Sequence, residues 1–250
     1  MRKIQLQEVT MVAAASVKIE ETVKALRYSM RGLSFGEVLF FSHRKPNDLP
    51  RQVKYVQISE MCSIDDYNRT MLFEVYKYIR TPFVLVIQWD GFVVHPEQWR
   101  QDFLQYDYIG ALWPAELNYR DRYGQLCRVG NGGISLRSRQ LMALPDQEKL
   151  PWHAGENEDI YLCCLYRHVL EKYGMRYAPL EVACRFAHER TVPENKGVVP
   201  FAFHQWEGSN AQYPEFGRGM ATQVRRLVIR LLIRMGLYEA MRRCFLKSGK

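Results

Sequence analysis

The feature that most constrains this chain is the five-residue block Phe83, Val84, Leu85, Val86, Ile87, followed at once by Gln88, Trp89, Asp90 and Gly91. A short run of β-branched and aromatic residues with no polar alternation makes a strand buried on both faces, and such strands belong to parallel sheets covered by helices. The acid then stands at a strand's carboxyl end, the edge of an open α/β sheet where ligands bind. Asp90 is either a ligand-site residue or the start of a turn with Gly91.

The neighbouring segments fit such a sheet. Residues 9–16 read as a strand and 18–30 as an amphipathic helix, with Ile19, Val23, Leu26 and Met30 spaced by three and four. Residues 38–42 and 53–58 read as further strands. Asp65 or Asp66 is placed to cap a helix that runs through Leu72, Val75 and Ile79 to Arg80. This βαββαβ order predicts a mostly parallel, helix-covered sheet, with a first crevice made by residues 13–16, His43 and residues 88–90. Beyond Asp90 the pattern turns to short strands and loops, without repeats or low-complexity segments.

Charge separates the chain into two parts. The formal net charge is +8 over 250 residues. From Arg218 onward nine basic residues face the single acid Glu239, which leaves 26 of each sign in residues 1–217. A neutral body argues against a broad nucleic-acid surface. At 250 residues and 47% hydrophobic content, the chain can bury one sizeable core, or a core plus an appendage, and residues 1–217 are expected to form the main domain. The six cysteines show no C-x-x-C pair and no zinc spacing, and a core of this size needs no disulfide staples, so reduced thiols are expected. The amino-terminal MRKIQLQEVTMVAAASV reads as a first strand rather than a signal peptide, because Gln5, Gln7 and Glu8 interrupt it. No run approaches the roughly 18 apolar residues of a spanning helix. The expected location is cytoplasmic, or on a membrane face.

Residues 218–250 form the second part. At about 100° per residue, Val224, Leu227, Val228, Leu231, Leu232 and Met235 share one face, and Arg226, Arg230 and Arg234 share another. Such a helix suits docking on the body, pairing with a second copy of the chain as a homo-oligomer, or lying on an anionic membrane surface. The recurrence of arginine through Arg242 and Arg243 favours the membrane.

Three later stretches carry chemistry. VGNGGISLRS, residues 129–138, lacks the lysine of a P-loop and the spacing of a dinucleotide fingerprint. Its glycines permit close approach to a ligand, or serve only as a turn entering a strand. GENED, residues 155–159, sets three acids before a helix; helix-start acids complement the dipole, but three cannot all be caps, which leaves one to face a crevice as a general base. PFAFHQW, residues 200–206, puts His204 after an aromatic run, where a histidine is either structural or a ligand.

In this order IQWDG, VGNGGISLRS, ENED, APLEVACRF and PFAFHQW resemble the glycosyltransferases of GT-A fold, and in particular a little-characterised bacterial glycosyltransferase-like family formerly classed as a domain of unknown function. The resemblance covers most of residues 9–207. It implies a GT-A, Rossmann-like mixed sheet flanked by helices, here with the amphipathic helix at the carboxyl end. It also implies transfer of a sugar from a nucleotide-sugar donor to an acceptor hydroxyl, in bacterial surface glycan synthesis; with the tail on a membrane, a glycan or lipid-linked acceptor is expected. The Asp-x-Asp metal motif of GT-A enzymes is reduced here to Gln88, Trp89, Asp90. By resemblance Asp90 is the metal ligand, with His204 as a nitrogen donor that tilts the choice between Mg²⁺ and Mn²⁺ toward manganese. Donor contacts fall to Ala14, Ala15, Ser16, His43, Gln88, Trp89, Asp90, Asn131, Gly132 and Gly133. The base of an inverting reaction falls to Asp159, with Glu158 beside it. Trp113, Trp152 and Trp206 offer platforms for sugar rings or simply core packing. The other readings are a non-catalytic sugar-nucleotide or polyanion binding module and a metal-dependent phosphohydrolase or nucleotidyltransferase.

Overall fold

The computed structural model describes residues 3–204 together with Leu231 and Met235. Its elements are β1 (Ile4–Ala14), α1 (Ile19–Ser29), β2 (Leu33–Ser42), β3 (Lys54–Gln57), α2 (Ile64–Arg69), β4 (Phe83–Ile87), β5 (Gly91–Val93), β6 (Tyr108–Gly110), β7 (Ile134–Ser138), α3 (Arg139–Gln147), α4 (Glu158–Ile160), α5 (Arg167–Lys172), α6 (Leu180–Phe186), β8 (Ala187–His188) and β9 (Ala202–His204). Six strands make one mixed sheet in the order β3-β2-β1-β4-β7-β6. β1 to β4 are parallel, whereas β7 runs antiparallel to both β4 and β6. Strand order departs from β1 in both directions, and a crevice opens outside the carboxyl ends at such a switch point.

Burial on both faces explains the unalternated apolar runs. On one face Val9, Met11 and Ala13 of β1, Val38 and Phe40 of β2, and Leu85 and Ile87 of β4 pack with Ile19, Val23 and Leu26 of α1. The intervening residues Val12, Ala14, Leu39, Phe41, Val84 and Val86 turn the other way, against Met71, Val75, Ile79 and Met142. A one-residue register slip would exchange the two sets.

The helix after β3 departs from expectation at its start. Its cap is Ser63, not Asp65 or Asp66: Ser63 Oγ accepts from the Asp66 amide at 3.1 Å and Asp66 Oδ2 accepts from the Ser63 amide at 2.9 Å. Asp66 thus closes a capping box. Asp65 instead accepts from Trp152 Nε1 at 3.1 Å. The helix continues as a π-turn over Thr70–Glu74 and a 3₁₀ turn over Val75–Tyr78.

A small second sheet, in the order β5-β9-β8, locks the end of the described chain to the turn after β4. Phe92 and Phe203 pack edge to face with centroids 4.7 Å apart, and the antiparallel register sets His204 opposite Gly91. Five described cysteines are free thiols; Cys62 is exposed and the other four are buried. Among the described residues no helix is long and apolar enough to cross a membrane. The amphipathic tail and Trp206 lie outside the described residues, apart from Leu231 and Met235. There the Met235 amide donates to the Leu231 carbonyl at 3.0 Å, the helical spacing, and both side chains are exposed.

Candidate active site

Of the two sequence readings of Asp90, the turn with Gly91 is seen directly. The Gln88 amide donates to the Gly91 carbonyl at 2.7 Å, and the Gly91 amide returns to Gln88 at 3.2 Å. Trp89 and Asp90 are therefore the tip of a two-residue turn joining β4 to β5. That turn aims the Asp90 carboxylate at His204, with Oδ1 3.7 Å from Nε2. Asp90 Oδ1 is buried and accepts no hydrogen bond among the described residues. On the far side of the ring, Nδ1 lies 3.3 Å from Glu189 Oε1 and 3.2 Å from Asn131 Nδ2. Burial opposes a charge on this imidazole, but Asp90 and Glu189 outweigh burial and push it up to about 10. Glu189 in turn is held below the usual carboxylate range by His204, against its own burial.

The glycine-rich loop makes room for these side chains. A Cβ on Gly133 would sit 2.2 Å from His204 Nε2, and one on Gly132 would sit 1.9 Å from Glu158 Oε1. Gly130 is covered in the same way by the Trp113 indole, whose ring would lie 2.0 Å from an added Cβ. Trp113 is accordingly core. Between these glycines Asn131 adopts φ +64° and is buried, and its Oδ1 has no partner among the described residues.

The same loop reaches the second half of the site. The Gly132 amide donates to Asp159 Oδ2 at 2.9 Å, and the Ile160 amide donates to Oδ1 at 2.8 Å. Burial, and then the neighbouring Glu158, push the Asp159 carboxyl up to about 7, although both amide bonds and Arg137 pull it down. Glu158 is engaged elsewhere: Oε1 accepts from Arg137 Nη2 at 2.6 Å and Oε2 from the Asp159 amide at 2.8 Å. Of the two acids assigned to catalysis from sequence, Asp159 accepts from two backbone amides and Glu158 is the partner of a buried arginine.

Beside the turn lies a cavity of about 360 Å³ lined by Ala14, Ala15, Ser16, Met61, Cys62, Tyr67, Gln88 and Trp89 among others. It sits at the carboxyl ends of β1 and β4, as expected for Ala14, Ala15 and Ser16. Gln88 Nε2 donates to Tyr67 Oη at 2.7 Å, and Lys18 Nζ stands 5.7 Å from the Trp89 ring centre. His43 follows β2 but pairs with Glu60 at 3.8 Å and is not among the cavity's lining residues. A larger groove, about 760 Å³, lies between the segment after β3 and the helix over residues 64–78; it contains none of the catalytic, donor or metal residues assigned from the sequence.

Glu189, Tyr67 and Arg137 escaped the sequence reading. Arg137 alone had a signal, since an arginine inside a strand that is paired on both sides demands a buried acid. Glu189 follows a two-residue strand and Tyr67 sits in an ordinary helical turn; neither has a spacing that marks it.

Among the described residues no three His, Cys, Asp or Glu side chains form a metal-binding group. Two donors fit a cation nevertheless. The 3.7 Å between Asp90 Oδ1 and His204 Nε2 suits two ligands of one ion at about 2.1–2.2 Å each. With Glu189 on Nδ1, Nε2 is the nitrogen that would be left to coordinate, as in the carboxylate–histidine arrangement common behind metal ligands.

Residues 51–204 match the model of a family described as a protein of unknown function, DUF5672, and the chain belongs to that family. No curated protein matches the sequence. In outline the structure is similar to a galactosyltransferase, LgtC, solved with donor and acceptor sugar analogs, at 12% identity over 87% of this chain and 94% of that one, TM-score 0.49. It is also similar to the apo form of the glycosyltransferase GlyE of Streptococcus pneumoniae TIGR4, at 12% identity over 95% and 64% of the two chains, TM-score 0.44. A third is the mannosyltransferase PcManGT of Pyrobaculum calidifontis, in complex with GDP-Man and Mn²⁺, at 10% identity over 88% and 60%, TM-score 0.45. Likenesses this distant assign no residue a role. The family match accords with the resemblance drawn from IQWDG, VGNGGISLRS and ENED, and the fold is the mixed, helix-flanked α/β sheet which that resemblance implies.

Proposed function

We propose that the protein is a glycosyltransferase that moves a sugar from a nucleoside-diphosphate donor to an acceptor hydroxyl, with inversion. One observation supports this above the others. Asn131 Oδ1 is buried with no hydrogen bond among the described residues, and the buried Asp90 Oδ1 has only the His204 ring at 3.7 Å, at the carboxyl edge of the sheet; buried polar atoms short of hydrogen bonds ask for a ligand. The loop that holds Asn131 also binds the carboxylate of Asp159.

The cavity beside Trp89 takes the nucleoside, with Gln88 and Tyr67 as its hydrogen-bonding groups. Asp90 and His204 would hold a divalent cation, Mn²⁺ by preference, which would supply charge neutralisation for a departing diphosphate. Asn131 orients the donor sugar through its amide oxygen. Asp159, about half ionised near pH 7, accepts the acceptor's proton as oxygen attacks the anomeric carbon, a contribution of roughly 100- to 10,000-fold. The cation-binding role requires Nε2 of His204 to release its proton, so donor and cation binding compete with that proton. Arginine recurring through residues 218–250 fits a peripheral enzyme acting on a membrane-proximal acceptor, with binding to anionic liposomes that salt weakens and truncation after Gly217 removes.

Titration calorimetry with nucleoside diphosphates and Mn²⁺ or Mg²⁺ tests the donor site, followed by transfer assays on a nucleotide-sugar panel. Asp90→Ala is expected to lose metal-dependent nucleotide binding, and Asp159→Asn to keep binding while losing transfer. Absence of nucleotide binding under every metal condition overturns the donor-site assignment, and donor binding without transfer or hydrolysis leaves a binding module.

A further inference from the structure

The largest fully buried side chain among the described residues is a charged one. Arg137, on β7 between β4 and β6, has no exposed surface. Its Nε donates to Ser135 Oγ at 2.9 Å, its Nη2 to Glu158 Oε1 at 2.6 Å, and its guanidinium lies 5.4 Å from the centre of the Tyr108 ring. Nη1 has no partner among the described residues. An ion pair this deep is poor value as a stabilising device, because desolvating two charges offsets most of their attraction and apolar replacements often do as well. Its position is informative, since Glu158 bonds through its other oxygen to the Asp159 amide at 2.8 Å. The contact also needs Gly132, where a Cβ would meet Glu158 Oε1 at 1.9 Å, and it is the Gly132 amide that holds Asp159 Oδ2 at 2.9 Å.

We propose that Arg137 is a positioning residue for Asp159: by drawing the Glu158 carboxylate to itself, it leaves the Gly132 amide to Asp159 alone and fixes that carboxylate at the edge of the glycine loop. This rests on the reading of Asp159 as the base. Without Arg137, Glu158 carries an uncompensated charge next to Asp159. Two adjacent carboxylates in a buried site share protons rather than both ionise. The groups facing Asp159 are Glu158 on its own helix, Arg137 on β7, Tyr108 on β6, Tyr119 from the connection before β7, and Cys163 and Cys164 from the following helical turn. Burial holds both tyrosines and the Cys163 thiol above their ordinary values, and the Cys127 thiol together with burial does the same for Cys164, so they stay neutral at physiological pH. Arg137 and Glu158 are then the fixed charges that act on the base.

The test follows the Asp159 carboxyl carbon by NMR in the full chain labelled with carboxyl-¹³C aspartate, the resonance being identified by its loss in Asp159→Asn. In Arg137→Met the titration midpoint should rise by roughly one pH unit, and in Glu158→Gln it should fall by a similar amount. The Gly132 amide resonance should follow the same midpoints. A purely structural Arg137 lowers the melting temperature and leaves the midpoint of the folded protein where it was, and that result overturns the proposal. If Arg137→Met does not fold, Glu158→Gln decides alone, since a midpoint that does not fall also overturns it. Transfer assays separate this from the underlying reading. Asp159→Asn with native transfer removes the base assignment, whereas the NMR shifts are read without any substrate.

Discussion

Gly133→Ala tests whether the glycine loop exists to admit His204. The added Cβ would lie 2.2 Å from Nε2, 2.3 Å from Cδ2 and 2.6 Å from Cε1. One whole edge of the ring is therefore overlapped, and rotation about the ring's own bonds does not clear it. To reach the 3.4 Å of ordinary contact, ring and loop must separate by about 1.2 Å, and a misplacement of about 1 Å can cost a hundredfold in rate. The ring has little room to give, held between Asp90 at 3.7 Å, Glu189 at 3.3 Å and the Gly91 strand. Overpacking of this kind costs roughly 1–3 kcal/mol in stability. The protein should therefore still fold, with a melting temperature lowered by a few degrees. Calorimetric titration of a nucleoside diphosphate with Mn²⁺ should show affinity at least about tenfold weaker, equivalent to about 1.4 kcal/mol. Gly124→Ala is the control: φ there is +78° but nothing lies within 4 Å of an added Cβ, so it carries backbone strain without touching the site. Native metal-dependent affinity in Gly133→Ala would refute the argument that this glycine is there for His204.

Three other results follow from the same geometry. Glu189→Gln keeps a hydrogen-bonding side chain at Nδ1 of His204 but removes its charge, and Mn²⁺ affinity should drop about 10- to 100-fold, read by calorimetry or by the metal's relaxation of water protons. Cys62 is exposed and lines the 360 Å³ cavity; in a Cys244→Ser background its alkylation should slow several-fold when a nucleoside diphosphate saturates the protein, and unchanged alkylation would place the nucleotide elsewhere. The Asp159 carboxyl is raised from 3.8 to about 7, so the base is protonated and inactive below that value, and kcat should rise roughly tenfold per pH unit up to about 7 and level off above it. The linked effect on stability has the opposite sign. Between pH 4 and 7 the unfolded chain has lost this proton and the folded chain retains it, so Asp159's contribution to stability is full below pH 4 and declines as pH rises to 7.

What the sequence reveals about this molecule is the residue types at strand ends, and what it conceals is who faces whom. The run from Phe83 to Ile87 declares a buried strand because it has no polar side to show, and its termination at Asp90 follows from that alone. The strands over residues 38–42 and 53–58 are legible for the same reason, although β2 begins five residues earlier, at Leu33, where Ser34 and Gly36 break the apolar pattern. Asp65 and Asp66 each look like a cap, and the choice between them and Ser63 depends on φ and ψ at one residue. The glycines of the loop are the sharpest case. Read alone, Gly132 and Gly133 are places for a ligand to approach; in the fold, the space beside them belongs to Glu158 and His204, which arrive from a helix and from a different sheet. No local pattern can announce that, because the missing Cβ is explained only by a side chain from elsewhere in the chain. The same holds for Glu189, which has no mark in its own segment and becomes part of the site only through His204, itself set by pairing of β9 with β5. A glycine in such a site is thus better treated as a question about which distant side chain needs the room, and Gly133→Ala puts that question to the protein directly.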